Sequence, residues 1–262
     1  MLENVVGLLQ NGYKVNHSIS EIAECIGIIH IIWILMIIKV FIIHKELREL
    51  IVMVYLKIKR LIDIILSFLA LIILSPVFLI LIIAIKVDSE GPVLFKQKRV
   101  GIHKSHFNIL KFRTMRIDTP KDCPTHLLEN PDQWITKVGK FLRKTSLDEL
   151  PQIWNIFVGQ MSIIGPRPGL WNQYDLIDER DKYGANDVPV GLTGWAQING
   201  RDELPIDIKA SLDGEYVERR SLWFDAICFV GTITAVLRRK GVIEGGTGVI
   251  AKLTKEKESS NS

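Results

Sequence analysis

Apolar residues crowd into two long runs near the N-terminus and then thin into the spaced pattern of a folded domain. The first run, residues 25–43 (CIGIIHIIWILMIIKVFII), offers 19 positions broken only by His30 and Lys39, close to the roughly 20 that a membrane-crossing helix needs. The second, residues 61–86, is also long enough to cross, but Ser75 and Pro76 stand near its middle. Pro76 has no amide proton and its ring clashes with the carbonyl four residues back, so it bends a helix there, and the Ser75 hydroxyl can take up a freed carbonyl. Two readings follow, a second crossing or a helix that dips in and returns. Lys57, Lys59 and Arg60 flank one end and Lys86, Lys96, Lys98 and Arg99 the other. Basic flanks mark the cytoplasmic side, so both ends carry that mark and the return is favoured. Asp63, just inside the first end, needs a partner, and Lys59 or Arg60 one turn earlier are the expected ones.

Further along, "VLFKQKR" and "HFNILKFRTM" read as two strands of a small hairpin. Residues 117–134, with three prolines and scattered charges, read as a surface loop. Helical spacing appears in "ITKVGKFLRK" (Ile135, Val138, Phe141, Leu142) and in "LDELPQIWNIFVG" (Leu147, Leu150, Ile153, Trp154, Phe157). "WNQYDLIDERDKY" continues that tendency, "VPVGLTGWAQINGRDELP" reads as a Gly-rich loop, and Pro205 to Arg220 as another helix. Leu222 to Leu237 is apolar but only 16 residues long and contains Asp225, so it lies along an interface or inside the domain instead of crossing. The tail from Thr254 is charged and reads as disordered.

The expected organisation is therefore a non-cytoplasmic segment 1–24, a transmembrane helix 25–43, a basic juxtamembrane linker 44–60, a re-entrant helix 61–86, a cytoplasmic domain 87–240 and a tail 241–262. The first run has only Lys14 before it but Lys45 and Arg48 soon after, which orients it with its C-terminal side inward. The fold class is α+β: a membrane-anchored, mostly helical domain with a small β-hairpin, a re-entrant helix and an additional N-terminal transmembrane helix.

Charge sharpens this picture. Residues 57–144 hold 16 Lys or Arg against 7 Asp or Glu, a balance of +9 in a chain whose net charge is +4. Such a block suits an anionic membrane surface or an anionic substrate. Nucleic acid is disfavoured, because no interleaved aromatics and no DNA- or RNA-binding signature accompany it. The three cysteines, Cys25, Cys123 and Cys228, have neither disulfide-framework nor zinc spacing.

The candidate chemistry centres on "RKTSLDELPQIWN". Adjacent carboxylates, Asp148 and Glu149, follow Arg143 by five and six residues. Ser146 and Glu149 also match an S-x-x-E capping box, which would account for the glutamate without catalysis. Pro151 sits awkwardly with that, since a helix starting at Leu147 would carry it past the first turn. Lys111 and Arg113 in "LKFRTM", Arg167 in "SIIGPRP" and Arg201 in "GWAQINGRDE" supply cations on rigid, Pro- and Gly-framed turns, which suit phosphate oxygens.

The ordered stretches KRLIDIILSFLALIILSP, GPVLFKQKRVG, LKFRTM, GKFLRKTSLDELPQIWNIFVGQMSIIGPRP and GLTGWAQINGR together resemble the bacterial monotopic phosphoglycosyl transferases, over roughly residues 57–240. The resemblance implies transfer of a sugar 1-phosphate from a UDP-sugar to undecaprenyl phosphate at the cytoplasmic face of the bacterial inner membrane, the initiating step of polysaccharide or glycoconjugate synthesis. It implies that Asp148 is the nucleophile and forms a phosphosugar-aspartyl intermediate, that Glu149 orients it or manages protons, and that Mg²⁺ bridges Asp148 and the diphosphate. Arg143 and Arg167 match phosphate-contacting positions of that family, and Lys111, Arg113 and Arg201 match basic motif residues. Lys59, Arg60 and Asp63 belong to its membrane-proximal motif, and Ser75 and Pro76 match the residues that turn its re-entrant helix. A homo-oligomer is compatible with it. The alternatives are single displacement with Asp148 as a metal ligand only, and a non-catalytic membrane scaffold. The segment before residue 57 departs from the short members of that family.

Overall fold

The structure, a computed structural model, describes residues 2–119, 133–200 and 204–237, with side chains from Trp33 onward. Helix α1 runs Leu2–Ile73 and α2 runs Ser75–Asp88. From Ile28 to Leu74 the sequence contains neither Gly nor Pro, so nothing interrupts the backbone ladder. Residues 44–60, expected as a linker, are accordingly helical and continuous with 61–73. The break comes at Leu74 (φ −87°, ψ 1°), with Pro76 in the first turn of α2, where its missing N–H leaves no bond unmade. The Ser75 hydroxyl donates to Ile72 O at 2.8 Å. The helices Trp33–Ile73 and Ser75–Asp88 meet at a 60° bend. Among the described residues no single helix is long and apolar enough to cross a membrane, whereas this bent pair passes that test together.

The chain divides into two compact units, Met1–Leu56 and Lys57–Ser262. The first is helical and, from Trp33 on, exposes large apolar side chains such as Trp33, Phe41 and Ile51. The second carries all the remaining elements. Its class is α+β and mostly helical, as the alternation of patterns predicts.

Strands β1 (Leu94–Val100) and β2 (His106–Phe112) form the expected antiparallel hairpin, in register from Leu94↔Phe112 to Val100↔His106. Helix α3 (Lys137–Thr145) starts on Thr136, whose Oγ1 accepts from Gly139 N at 2.9 Å. Leu81 and Ile85 of α2, Phe112 of β2 and Leu142 of α3 build one buried cluster. Thus the second arm of the bent pair is part of the domain's core.

After α4 (Gln152–Phe157), strand β3 (Ser162–Ile164) pairs in parallel with β4 (Gly191–Thr193), and α5 (Tyr174–Asp181) lies in the connection. Helices α6 (Trp195–Ile198), α7 (Ile206–Arg219) and α8 (Leu222–Leu237) follow. The Gly-rich stretch expected as loop thus contains a strand and a helix. Its glycines permit close backbone approach: a Cβ at Gly191 would lie 2.2 Å from Gly165 N, and one at Gly194 2.1 Å from Gly165 O. Helix α8 has one face inside the domain and one exposed. Phe224 and Cys228 join Ile164 and Tyr216 in a buried cluster, while Trp223, Phe229, Val230 and Ile233 are exposed.

Candidate active site

The dyad sits where α3 ends. Ser146 adopts the left-handed conformation (φ 58°, ψ 17°), its amide closing on Arg143 O and Leu142 O, and a single 3₁₀ turn, Leu147–Glu149, follows. Pro151 then stands as N-cap of α4, which removes the conflict that a helix beginning at Leu147 would create. The capping-box reading fails, because Ser146 makes no side-chain cap bond and the Glu149 carboxylate is engaged elsewhere. Leu147 and Leu150 pack on the cluster of Leu81, Ile85, Phe112 and Leu142. Residues three apart in such a turn share a face, so the two leucines press the turn down and leave Asp148 and Glu149 on its other sides.

Three expected cations gather there. Lys111, on β2, donates from Nζ to Glu149 Oε1 at 2.7 Å and lies 3.9 Å from Asp148 Oδ2. Arg167 Nη2 donates to the same Glu149 oxygen at 2.7 Å. Arg143 directs Nε to Thr114 Oγ1 at 2.9 Å and is close enough to act on the Asp148 charge. Among the described residues, no side chain hydrogen-bonds the Asp148 carboxylate; Lys111 and Arg143 act on it through charge.

The expected cation Arg113 is not brought to the dyad. It is buried, and its guanidinium donates to the carbonyls of Ser89, at 2.7 Å, and Glu90. These carbonyls belong to the C-cap of α2 and the residue after it, where the chain has left the helix and its oxygens need donors from outside, so the turn after α2 captures this arginine. Arg201 lies outside the described residues.

The membrane-proximal residues anchor α1 to the domain. Lys59 pairs with Asp225 at 2.8 Å, and Arg60 donates to Ile156 O and Phe157 O at 2.6 and 2.7 Å. Asp63 accepts from the backbone amide of Ile163 at 3.0 Å. Its expected partners, Lys59 and Arg60, hydrogen-bond elsewhere because α8 presents a buried carboxylate to the first and the C-terminal turn of α4 presents two carbonyls to the second, though both cations lie close enough to act on the Asp63 charge.

The two acids of the dyad are driven apart. For Asp148, burial raises the pKa, Lys111 and Arg143 pull it down less strongly, and the Glu149 charge adds to the rise. For Glu149, burial is also the largest influence, but the charges and hydrogen bonds of Arg167 and Lys111 together outweigh it and hold the carboxyl well below the usual carboxylate range. One acid is thus a locked anion and the other a reluctant one.

Sequence patterning missed the residues that hold this arrangement. Asn155, buried on α4, accepts from Leu110 N at 3.0 Å and donates to Asn108 O at 2.9 Å, which sets β2 against the dyad turn. Three successive carbonyls of the Arg167 loop are also taken. Arg180 Nη2 donates to Arg167 O at 2.9 Å, Arg99 Nη1 to Pro168 O at 3.0 Å, and Val100 N to Gly169 O at 3.0 Å. Asp213 accepts from Arg180 Nε and Nη2 at 2.8 and 2.6 Å in a buried pair. The available signal was position: Arg180 falls four residues after buried Leu176, and Asp213 three after buried Ala210, each on a helix face that points inward.

Among the described residues no three His, Cys, Asp or Glu side chains converge on a metal position. The donors at the dyad are two carboxylates, of which Glu149 is ion-paired and Asp148 is not closely engaged.

A family model described as "Bacterial sugar transferase" matches residues 54–239. The chain is 42% identical over 175 residues to the UDP-glucose:undecaprenyl-phosphate glucose-1-phosphate transferase of Escherichia coli (strain K12), covering 64% of this chain and 37% of that protein. It is 36% identical over 197 residues to the exopolysaccharide production protein ExoY of Sinorhizobium fredii, covering 70% of this chain and 87% of that one. It is 38% identical over 185 residues to the uncharacterized sugar transferase EpsL of Bacillus subtilis, covering 70% and 89%. Several relatives are much longer: the matched part is 41%, 37% and 33% of three of them.

Proposed function

The chain belongs to the bacterial sugar transferase family, and from that premise we propose that it moves a sugar 1-phosphate from a UDP-sugar to undecaprenyl phosphate and releases UMP. One observation carries the mechanism: Glu149 takes Lys111 and Arg167 as close partners, while Asp148 beside it has a raised pKa and, among the described residues, no hydrogen bond from another side chain. A carboxylate that is neither neutralised nor fully solvated is the better nucleophile of the two. Its target is a diphosphate, and Lys111, Arg143 and Arg167 supply the positive charge that lets an anion approach it.

An Asp148 oxygen bonds to the sugar-bearing phosphorus. The bond from that phosphorus to the bridging oxygen breaks, and its electron pair leaves with UMP. An oxygen of undecaprenyl phosphate then bonds to the same phosphorus, and Asp148 departs as a carboxylate. No proton is required in either step, which suits a Glu149 held ionised. Its role is to keep Lys111 and Arg167 in place. The donor set fits Mg²⁺, which is usually held by one or two carboxylates together with substrate phosphates. Asp148 would hold it, and when bound it would neutralise charge on the diphosphate.

The acceptor is a lipid, which accords with the bent helix pair, its exposed apolar side chains and the basic residues at both of its ends. We place the helix pair in the membrane as a re-entrant element with the domain on the cytoplasmic face, where nucleotide sugars are made. UDP-glucose is the first donor to test, because relatives are named for it.

The decisive experiment incubates the purified protein with UDP-glucose and Mg²⁺ without lipid acceptor. UMP release in proportion to enzyme, with a hexose phosphate added to the Asp148 peptide in mass spectra, is the expected result. UMP appearing only when undecaprenyl phosphate is present would favour single displacement instead. Full transfer by Asp148→Asn would remove the assignment.

A further inference from the structure

Behind Arg167 the domain encloses a small cavity that the mechanism above does not use. Among the described residues, Arg99, Arg167, Arg180 and Lys209 bring four cations to its wall against the carboxylate of Asp213. Its volume is about 70 Å³, several times the ~10–15 Å³ that a single water needs. That is room for a phosphate group with the rest of a nucleotide extending outward.

The wall is built, since Asp213 fixes Arg180 in a buried pair and both Arg180 and Arg99 are tied to the carbonyls of the Arg167 loop. Gln197, on α6, donates from Nε2 to Leu192 O at 3.2 Å, while its Oε1 is buried and accepts no hydrogen bond. Buried acceptors are rarely left so, and in a wall made largely of donors this oxygen marks where a ligand's own donor arrives. Arg167 joins the two places, for it lines the cavity and donates to Glu149 Oε1.

We propose that this cavity holds the phosphate of the departing nucleoside monophosphate, with Arg99 and Lys209 on its oxygens and Gln197 Oε1 accepting a hydrogen bond from the nucleoside. The assignment rests on the reaction proposed above. As the Asp148 oxygen bonds to phosphorus and the bridging bond breaks, the electron pair settles on the nucleotide phosphate, so negative charge grows on the leaving group. Fixed cations in a partly enclosed wall stabilise that charge without having to reorganise. The cavity therefore assists the step by receiving what leaves.

The test titrates the full chain in detergent with UMP and, separately, with inorganic phosphate, following heat of binding. Lys209→Ala is expected to weaken UMP about tenfold, the scale of one charge-assisted hydrogen bond, and Lys209→Arg to restore most of it. Gln197→Leu is expected to weaken UMP while leaving inorganic phosphate unchanged. Unaltered UMP affinity in both Lys209→Ala and Gln197→Leu, with melting curves like those of the starting protein, would overturn the assignment. Titration needs no turnover, so the two ideas fail separately. UMP binding with this dependence in a protein that transfers no sugar phosphate would refute the reaction and leave the nucleotide site standing.

Discussion

Asp148 and Glu149 share Lys111 unequally, its ammonium lying 2.7 Å from Glu149 Oε1 and 3.9 Å from Asp148 Oδ2. Lys111 is thus both the partner that keeps Glu149 ionised and a brake on the rise of the Asp148 pKa. A nucleophilic Asp148 must be ionised, so kcat/KM should fall as pH drops through its raised pKa, on an acid limb above the ordinary aspartate value of 3.8. Lys111→Met removes a lowering influence and should move that limb to higher pH, whereas Glu149→Gln removes a raising one and should move it lower. A pH–rate series on both variants checks the pair of signs, and equal shifts in one direction would refute the assignment.

The same linkage gives stability opposite signs at the two acids. Glu149, with its folded pKa depressed, stabilises the fold above the ordinary glutamate value of 4.5, and that contribution fades as pH falls towards the folded value. Asp148, with its folded pKa raised, favours the fold below 3.8 and loses that contribution as pH rises through its folded value. Asp148→Asn should therefore cost activity while leaving stability near neutral pH equal or higher, as read by denaturant melts at pH 7.

Gly139 is the contact between α3 and the end of β2. A Cβ there would lie 2.1 Å from Thr114 O, a backbone atom that cannot step aside. Gly139→Ala should cost roughly 1–3 kcal/mol of stability and reduce transfer further by shifting Arg143 from Thr114. Wild-type activity with a wild-type melting midpoint would show that the two elements are not in this contact.

Ser146 holds a left-handed backbone at the entrance to the dyad. Such a conformation costs a non-glycine residue ~1–2 kcal/mol, so Ser146→Gly should gain about 1 kcal/mol and Ser146→Val should lose at least as much. Had the serine been a helix cap, Ser146→Gly would lose a few tenths of a kcal/mol instead of gaining, whereas Ser146→Val loses stability in either case. Urea denaturation of the glycine variant separates the cases.

Asp213 and Arg180 stand behind the Arg167 loop as a buried pair, 5% and 1% exposed at their side chains for the arginine and the aspartate. Asp213→Ala leaves a buried guanidinium uncompensated, which costs about 3–5 kcal/mol in such settings. The expected outcome is a protein that melts early and has lost the Arg167–Glu149 contact. A variant of unchanged midpoint would mean that water replaces the carboxylate.

The re-entrant reading predicts one face for both ends of the bent pair. With the native cysteines replaced, Lys57→Cys and Val87→Cys should both react with an impermeant maleimide only after the cytoplasmic side is opened. Labelling of one from each side would make the segment a crossing.

Local chemistry carried the legible part of this protein. Pro76 announces the break at Leu74, and the short runs "VLFKQKR" and "HFNILKFRTM" announce the hairpin, because a missing amide and a run of strand-forming residues act on immediate neighbours. Lys111 and Arg167 were identifiable as candidate phosphate-binding cations, and the structure brings both to Glu149, Lys111 from strand β2 and not from a turn. What stayed hidden depends on distant partners. Arg113 looks like Lys111 in "LKFRTM", yet two carbonyls in the turn after α2 decide where it goes. Glu149 satisfies a capping pattern, but two cations from β2 and the Arg167 loop outbid a backbone amide. Strand β4 is disguised because Gly191 within it and Gly194 just past it serve close approach to the Gly165 backbone.

Leu147 and Leu150, on either side of the dyad, pack on the cluster that Leu81 and Ile85 of α2 build with Phe112 and Leu142. Leu81 and Ile85 lie five and nine residues beyond Pro76, ~7 and ~14 Å along the helix axis. Helix α2 therefore works as a gauge: the distance from the bend to the acid is counted in residues that never meet a substrate. One extra turn would displace the carboxylate by about 5.4 Å, more than the ~3–3.5 Å over which attacking and attacked atoms must meet. On the proposed reaction, with the bend in the bilayer and the acceptor's phosphate at its own depth, the length of this helix sets whether the carboxylate and the phosphate can meet.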